Sequence, residues 1–442
     1  MARRESSRNA GGKTFSNKAY FICKRTDMQE QTNDLLGLVD HLSGDIGHPS
    51  GWPADRAQTS SPDGEMVQDA SGWPSISSWC TASLIIFASL WGLLAREGLV
   101  ALNSYQGQSI ASVIWAQGIG CLVMGWAISN KSSIESFYPP LYVAITTGFC
   151  GSVTTFSTWV LQVFLAFSNH ARYTRSGIYS VMDALTQTGA TIGISLIALQ
   201  AGRKLGHTIL KPSTLRKAFV RTSATLLTSP AADEEAEEVV VEAHEDAPVQ
   251  SSRVVTPLNI TALALGPLFW IGSALLLAFQ TDATFRHVTF PLLLAPPGAL
   301  LRWWLALFLN SSHRARSASP RWPLGTLAAN LLATLIIAGV YVAQHVDVSA
   351  TGNLSDMPSS STLLGCQALY GVQEGFCGCL STISTFAVEM ELLKPHRRAF
   401  AYTLFSWFTG IVICVLIVGL PTWTLPNDAG YGRRCNQSGL SY

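Results

Sequence analysis

Charged residues are scarce in this chain, and their scarcity excludes an ordinary soluble domain. Only 13% of the 442 residues are Asp, Glu, Lys or Arg, whereas soluble domains typically carry about 25%. The charges gather in the termini and loops. The segments between them are apolar over about 20 residues, the length of a helix that crosses a bilayer. The composition therefore predicts a polytopic membrane protein surrounded by lipid.

Sequence motifs of several other protein classes are missing as well. No basic segment interleaved with aromatic residues indicates nucleic-acid binding, and no glycine-rich loop ending in Lys-Ser or Lys-Thr indicates an ATP site. The nine cysteines are scattered and follow neither a metal-ligand spacing nor a secreted-disulfide framework. The apolar segments hold too few titratable residues for a catalytic cluster, so we predict that the protein is not an enzyme.

Nine apolar segments are present, and the rest of the chain is hydrophilic. Residues 1–77 are polar and lack a short apolar core near Met1, which predicts a disordered cytosolic tail rather than a signal peptide. Residues 205–256 form a cytosolic loop that is first basic and then acidic, and residues 422–442 form a C-terminal tail. We place the spans at Trp79–Leu102, Ser109–Ile128, Leu141–Phe167, Ile178–Ala201, Leu258–Gln280, Val288–Leu309, Pro323–Val346, Thr362–Leu393 and Phe400–Leu420.

The distribution of Lys and Arg among the loops predicts the orientation. If the N-terminus is cytosolic, the inner segments hold most of the basic residues, including those of 205–256, Arg314 and Lys394. The outer loops hold fewer, and two of them, 103–108 and 347–361, hold none. Because basic residues favour the cytosolic side, the N-terminus is predicted inside and the C-terminus outside.

A repeated motif organises the chain into two units. The segment GFCGSVTTFSTW begins at Gly148 and GFCGCLSTISTF begins at Gly375, each in the third span of a four-span unit. The units, 78–204 and 282–421, are joined by one linker span at 257–281. Five spans separate their starts, so the second unit should be inverted relative to the first. We predict an all-α membrane protein with two inverted four-helix repeats, each with a broken third helix.

Small and hydroxylated residues in the middle of both third spans indicate an ion pathway. Helix breaks at membrane depth are tolerated where protein or a water-filled cavity satisfies the freed backbone. Carbonyls freed at a break can bind a hard cation, whereas hydroxyls and aromatic ring edges can bind an anion. A single copy of such a segment would be explained by helix packing alone. Two copies at matching places favour the pathway.

The duplicated GFxGxxTTFSTF-like element resembles the Fluc-type fluoride channels. Two such units joined by one span resemble the fused form of that family, the fluoride exporters of fungi and other eukaryotes. The likeness covers nearly all of Trp79–Leu420. It implies a monomer in the plasma membrane that passively exports cytosolic fluoride. It also implies a central structural Na⁺ bound by backbone carbonyls at the two breaks, at Gly151, Thr154, Gly378 and Ser381.

The resemblance also implies two fluoride pores, and this sequence departs from the family pattern at one of them. Family pores pair an aromatic residue from each unit; here Phe156 would pair with Phe386, and Trp159 with Ile383. In the second pore Asp183 would repel an anion unless it is paired or protonated. The expected working pore comprises Phe156, Phe386, Asn330, Tyr402, Ser406, Thr158 and Thr385. The expected degraded pore comprises Trp159, Ile383, Gln117, Tyr179 and Asp183.

Other interpretations remain open for the arginines and for the function. Arg96 and Arg302 lie near span ends, where they could either extend to the membrane surface or attract an anion. A coupled secondary transporter of another small solute would also suit inverted repeats, with Asp183 as its proton site. His170, His207 and His287 are scattered, which argues against a proton relay. A scaffold would not need two matched broken helices.

Overall fold

The computed structural model describes residues 76–104, 110–170, 173–208, 257–280, 282–310, 322–345, 360–424 and Cys435. Most of the predicted N-terminal tail, cytosolic loop and C-terminal tail lies outside these residues. Every described element is a helix, so the predicted all-α class is confirmed. Seven of the described helices are long and apolar enough to cross a membrane.

The helices follow the order of the predicted spans. The second predicted span is shorter than expected, at 16 residues, and a separate short helix follows it. In the first unit they are α1 Ile76–Leu102, α2 Ile114–Ser129, α3 Lys131–Phe137, α4 139–153, α5 Phe156–Phe167 and α6 Gly177–Thr208. The linker is α7 Pro257–Phe279. In the second unit they are α8 Ala283–Asn310, α9 Leu324–His345, α10 360–380, α11 Ser384–Leu392 and α12 His396–Thr424.

Both predicted third-span breaks are present in the structure. The chain leaves α4 in an extended conformation at Thr154 and Thr155 before α5 begins. It leaves α10 in the same way at Ser381, shortly before α11. A seven-residue π-helical turn precedes each break, at Ala144–Cys150 and at Gly371–Cys377. Such turns occur frequently at functional sites of helices.

The motif glycines do not form the breaks. Gly151 and Gly378 both have helical φ and ψ angles, and the extended residues carry hydroxyls instead. The earlier glycines allow helices to approach closely. A Cβ atom at Gly148 would lie 2.7 Å from Cβ of Ala88, and one at Gly375 would lie 2.8 Å from Cα of Pro291. Gly148 and Gly375 therefore allow the third helix of each unit to pack closely against the first helix of the same unit.

The second part of each broken helix packs against helices of both units. Helix α5 of the first unit packs against α9 and α12 of the second, and α11 packs against α2 and α6 of the first. The linker α7 packs against α1 and α8. The reciprocal contacts are those expected of two related units. Inversion across a membrane remains a prediction.

Candidate ion pathway at the two helix breaks

Each break supplies the N-terminal cap of the other unit's helix. Thr154 Oγ1 accepts a hydrogen bond from the backbone N–H of Ser384, at 3.1 Å. Ser381 Oγ accepts hydrogen bonds from the backbone N–H groups of Phe156 and Ser157, both at 3.1 Å. The first N–H groups of a helix have no partner within that helix, so these hydroxyls satisfy donors that burial would otherwise leave unpaired. Helix α5 is also capped within its own unit, because Thr155 Oγ1 accepts from the backbone N–H of Thr158. The hydrogen bonds that cross between units add stability to both breaks.

Further hydroxyls surround the caps in a buried network. Thr154 Oγ1 and Thr382 Oγ1 are 3.1 Å apart, and Ser157 Oγ lies 2.9 Å from Ser381 Oγ. The Thr155 hydroxyl donates to that of Thr158 at 3.1 Å. These side chains are at most 6% exposed. Thr385, by contrast, is half-buried. A buried hydroxyl both donates and accepts, so the network can offer donors to an anion that passes it.

Two side-chain amides hold the extended residues in place. Asn330 Oδ1 accepts from the backbone N–H of Thr382 at 2.8 Å, and its Nδ2 donates to the same residue's carbonyl at 3.2 Å. Gln117 Oε1 accepts from the backbone N–H of Thr155 at 3.2 Å, and its Nε2 donates to the Thr155 carbonyl at 2.6 Å. Both amides are at most 1% exposed. The predicted match of Asn330 and Gln117 is therefore found, and both side chains support the breaks.

Four aromatic rings form a continuous buried row between the units. The Phe156 ring meets that of Trp159 edge-on at 5.4 Å between ring centres, and that of Phe386 edge-on at 5.5 Å. The Phe386 ring lies 5.3 Å from that of Tyr402. All four side chains are at most 1% exposed. The structure therefore brings the predicted pair, Phe156 and Phe386, into direct contact across the two units.

A buried carboxylate terminates this row. Glu389 accepts a hydrogen bond from the Tyr402 hydroxyl at 2.8 Å and another from the Thr326 hydroxyl on its second oxygen. Ser406 donates its hydroxyl to the Tyr402 carbonyl at 2.8 Å. Both carboxylate oxygens are thus paired, which lowers the free energy of keeping the charge away from water. Tyr402 and Ser406 lie together here as the sequence predicts.

The residues predicted for the second pore are only partly brought together. Trp159 and Ile383 are both buried, but the Trp159 ring contacts Phe156 of the other predicted pore. Tyr179 is 62% exposed. Asp183 forms an ion pair with Arg175 at 2.9 Å. The fully buried residue on this part of α6 is Ala184. The predicted match of Tyr179 and Asp183 to the buried pair on α12 is therefore not found in the structure.

Arg96 and Arg302 are buried at the breaks, so the interpretation that they extend to the membrane surface is wrong. Arg96 is 0% exposed and Arg302 is 4% exposed. Guanidinium groups in this setting need acceptors for their N–H groups. Arg96 donates to the carbonyls of Ser152 (2.8 Å) and Glu374. Arg302 donates to the carbonyls of Gly151 (2.6 Å), Ser381 (3.2 Å) and Thr147.

The arginines explain why Gly151 and Gly378 lack side chains. A Cβ atom at Gly151 would overlap the Arg302 guanidinium, and one at Gly378 would overlap that of Arg96. The carbonyls of Gly151 and Ser381, two of those predicted to bind Na⁺, accept hydrogen bonds from Arg302. A carbonyl oxygen has two lone pairs, so each keeps one for a further donor or a cation.

Sequence reasoning missed a disulfide bond. Cys366, near the start of α10, is bonded to Cys435 in the C-terminal tail. The expectation that the cysteines form no disulfide is therefore wrong for this pair. Cys366 lies near the outer end of the predicted span Thr362–Leu393, and Cys435 lies in the tail that the orientation prediction places outside. That shared side was the only signal that could have paired them.

A second omission concerns the histidines. His170 lies with its ring centre 5.9 Å from that of His345, and both rings contact Tyr341. His170 is therefore not isolated, because α9 brings His345 beside the end of α5.

Comparison with known proteins identifies relatives over most of the chain. It is 32% identical over 350 residues to fluoride export protein 1 of Schizosaccharomyces pombe, covering 78% of this chain and 96% of the relative. It is 30% identical over 367 residues to fluoride export protein 1 of Candida albicans, covering 78% and 80%. A shorter match, 36% identical over 130 residues, joins 29% of this chain to 87% of the fluoride-specific ion channel FluC of Chromobacterium violaceum.

No solved structure matches the chain significantly. The family model described as CrcB-like protein, Camphor Resistance (CrcB), matches twice, at residues 83–202 and 289–420. Each match contains one broken third helix with its flanking helices. The two matches together cover more than half of the chain, and the chain belongs to the CrcB-like family.

Proposed function

We propose that the protein is a fluoride-selective channel that lets cytosolic fluoride leave the cell passively. The observation that supports it most is the contact of Phe156 with Phe386 between two helices that cap each other. The relatives named as fluoride exporters and as a fluoride channel support the choice of ion. An inside-negative potential drives an anion outward with about 2.3 kcal/mol per charge per 100 mV.

We propose a single conduction path, because aromatic rings line only one of the two predicted pores without interruption. It passes Tyr402, Phe386 and Phe156, whose ring edges carry the positive part of the aromatic quadrupole. Ser406 lies on the same helix as Tyr402, and Thr158 lies on the same helix as Phe156, so both hydroxyls belong to the helices that carry these rings. At the other predicted pore, Ile383 has no ring and therefore no such edge. We propose that this second path no longer conducts.

The proposed orientation places the C-terminus outside the plasma membrane. Disulfides persist in oxidising compartments and are rare in the cytosol. The bond between Cys366 and Cys435 therefore supports an outer location for the start of α10 and for the tail. One chain supplies both third helices and both caps, so we propose that it works as a monomer.

A structural Na⁺ at the breaks also remains a proposal. The carbonyls of Gly151, Thr154, Gly378 and Ser381 would hold it, and its charge would fix the two breaks relative to each other. Arg302 already donates to two of these carbonyls, so any cation would share them with a guanidinium. The affinity for Na⁺ should be lower for that reason.

A coupled transporter is the competing function, and the structure gives it little support. Its proton site would be Asp183, but this carboxylate is partly exposed and paired with Arg175 at 2.9 Å. Gln187 donates a further hydrogen bond to it at 3.0 Å. A coupled transporter would place its proton-binding acid within the membrane interior, whereas this carboxylate is partly exposed and already has two partners.

Flux from liposomes tests the proposed function. Vesicles containing the purified protein are loaded with potassium fluoride, and efflux is recorded with a fluoride electrode after valinomycin is added. We expect rapid fluoride efflux without a pH gradient, and no efflux from vesicles loaded with potassium chloride. Fluoride efflux that needs an imposed pH gradient would contradict a channel and favour the transporter.

A further inference from the structure

A cleft of about 700 Å³ opens between the linker α7 and the first helices of the two units, α1 and α8. Its walls include Trp91 on α1, Phe269 and Phe279 on α7, and Leu292 on α8. Trp91 and Phe269 are 48% and 41% exposed. Because all three helices are long and apolar enough to cross a membrane, the medium that meets the cleft is lipid.

Helix α7 is held tightly against α1 at one end of the cleft. The Ser83 hydroxyl accepts a hydrogen bond from the backbone N–H of Gly266 at 3.1 Å and donates to the Leu263 carbonyl at 2.9 Å. A Cβ atom at Gly266 would overlap the Ser83 carbonyl, whereas one at Gly272, further along α7, would meet nothing within 4 Å. The contact at Gly266 therefore closes one end, and the missing side chain of Gly272 leaves the cleft open.

The walls of the cleft are fixed by contacts within the protein. The Phe87 ring packs edge-on against those of Phe269 and Trp91, with 5.0 Å and 6.3 Å between ring centres. Trp270 Nε1 donates to the Leu293 carbonyl at 2.9 Å, which attaches α7 to α8. A ligand that enters therefore needs to order few side chains, and this favours binding.

The length of the cleft matches one leaflet of a bilayer. Its α7 wall runs from Leu268 to Phe279, which at about 1.5 Å per residue is about 17 Å of helix. Half of a hydrocarbon core of about 30 Å is about 15 Å. The proposed orientation places the end of α7 and the start of α8 outside. The cleft therefore lies in the outer leaflet and reaches its surface near Gln280.

The polar side chains of the cleft suit a ligand with a single polar end. The Ser273 hydroxyl is already used, because it donates to the Trp270 carbonyl at 2.7 Å. Gln280 lies at the outer end, and a side-chain amide can donate and accept hydrogen bonds at once. None of the described residues that line the cleft is charged. An apolar molecule with one terminal hydroxyl fits this arrangement.

We propose that the cleft binds one sterol, with its hydroxyl at Gln280 and its rings against Trp91 and Phe269. A rigid fused-ring system loses less conformational freedom on binding than a flexible acyl chain does. A phospholipid would require a cation for its phosphate. Arg286 lies outside the cleft, and its Nε donates to the Gln280 carbonyl at 3.1 Å. The site does not depend on which ion the protein conducts.

Photolabelling of the intact protein tests the site. The purified chain is placed in phosphatidylcholine vesicles that contain a cholesterol analogue with a photoreactive group on its rings, and labelled peptides are mapped by mass spectrometry. We expect label on the α1 and α7 residues of the cleft, and a several-fold loss of that label with excess unlabelled cholesterol. Label that is spread over all lipid-facing helices and insensitive to cholesterol would mean bulk lipid only and would overturn the proposal.

A matched pair of glycine variants tests the place of binding. Gly272→Leu should lower the cholesterol-sensitive label several-fold, because the new side chain fills the cleft. Gly193→Leu is the control, since Gly193 is also a helical glycine with nothing within 4 Å, and it should label as the wild type does. Equal labelling of the two variants would refute the site. Trp91→Leu, which removes a wall, should also lower the label and replaces Gly272→Leu if that variant does not fold.

Two further variants identify the polar end of the ligand. Gln280→Leu should raise several-fold the cholesterol concentration needed for half-maximal competition, and Arg286→Gln should leave it unchanged. The opposite pattern would assign the cleft to a phospholipid and contradict a sterol. Fluoride efflux from the same vesicles is a separate readout. A protein that takes up the label but conducts no fluoride would contradict the proposed function and leave the sterol site standing.

Discussion

The two units share one framework and differ in what is attached to it. Each break is capped by a hydroxyl of the other unit, held by a side-chain amide, and bonded by an arginine from a first helix. Around this framework, one side has the row from Trp159 to Tyr402, whereas the other has Ile383 and an exposed Tyr179. A duplicated membrane protein therefore keeps the features that shape its backbone, while its ion path varies.

The largest effect should come from removing an arginine from the shared framework. Arg302→Met leaves three buried carbonyls without this donor, and each buried polar group that is left unpaired typically costs about 1–3 kcal/mol. We expect a strongly lowered melting temperature in detergent. Arg203→Met removes a partly exposed arginine and is the control. Equal melting temperatures for the two variants would contradict a structural role for Arg302.

A glycine comparison should give the next largest effect. Gly151→Ala places a methyl group against the Arg302 guanidinium, and overpacking of a filled interior typically costs about 1–3 kcal/mol. Gly193→Ala, also on a helix, meets nothing within 4 Å. Thermal unfolding should therefore separate the two variants. If Gly193→Ala is the more damaging one, the close approach of Arg302 is wrong.

The two caps should have effects that are small and similar. Thr154→Val and Ser381→Ala each remove one capping hydroxyl, and the loss of an N-cap typically costs about 1 kcal/mol. Comparable shifts in melting temperature are expected, because each hydroxyl caps the other unit's helix. A large shift for one and none for the other would show that the framework is not shared equally.

The sequence was sufficient for the class, the duplication and the position of both breaks. Apolar runs and motif spacing carry that information, because a helix that crosses a bilayer has a fixed length. The sequence did not reveal that Arg96 and Arg302 donate hydrogen bonds to the backbone beside the breaks. Their place near span ends suggested contact with the membrane surface, whereas their acceptors are backbone carbonyls that become available only after the third helices break.

Distant pairings were also beyond the sequence. The disulfide of Cys366 with Cys435 joins residues 69 positions apart, and no spacing rule connects them. The predicted match of Tyr179 to Tyr402 failed because the connection before α6 is longer than that before α12. Helix registers after unequal loops are set by packing, which one sequence does not reveal.

The central claim is that a single path through Phe156 and Phe386 conducts fluoride. The most direct measurement is the fluoride efflux of Phe386→Ile beside that of Ile383→Phe, in the same liposomes and at equal protein content. The account predicts that flux is lost in Phe386→Ile and retained in Ile383→Phe. Flux that is retained in Phe386→Ile but blocked in Ile383→Phe would contradict it, since conduction would then follow the other pair.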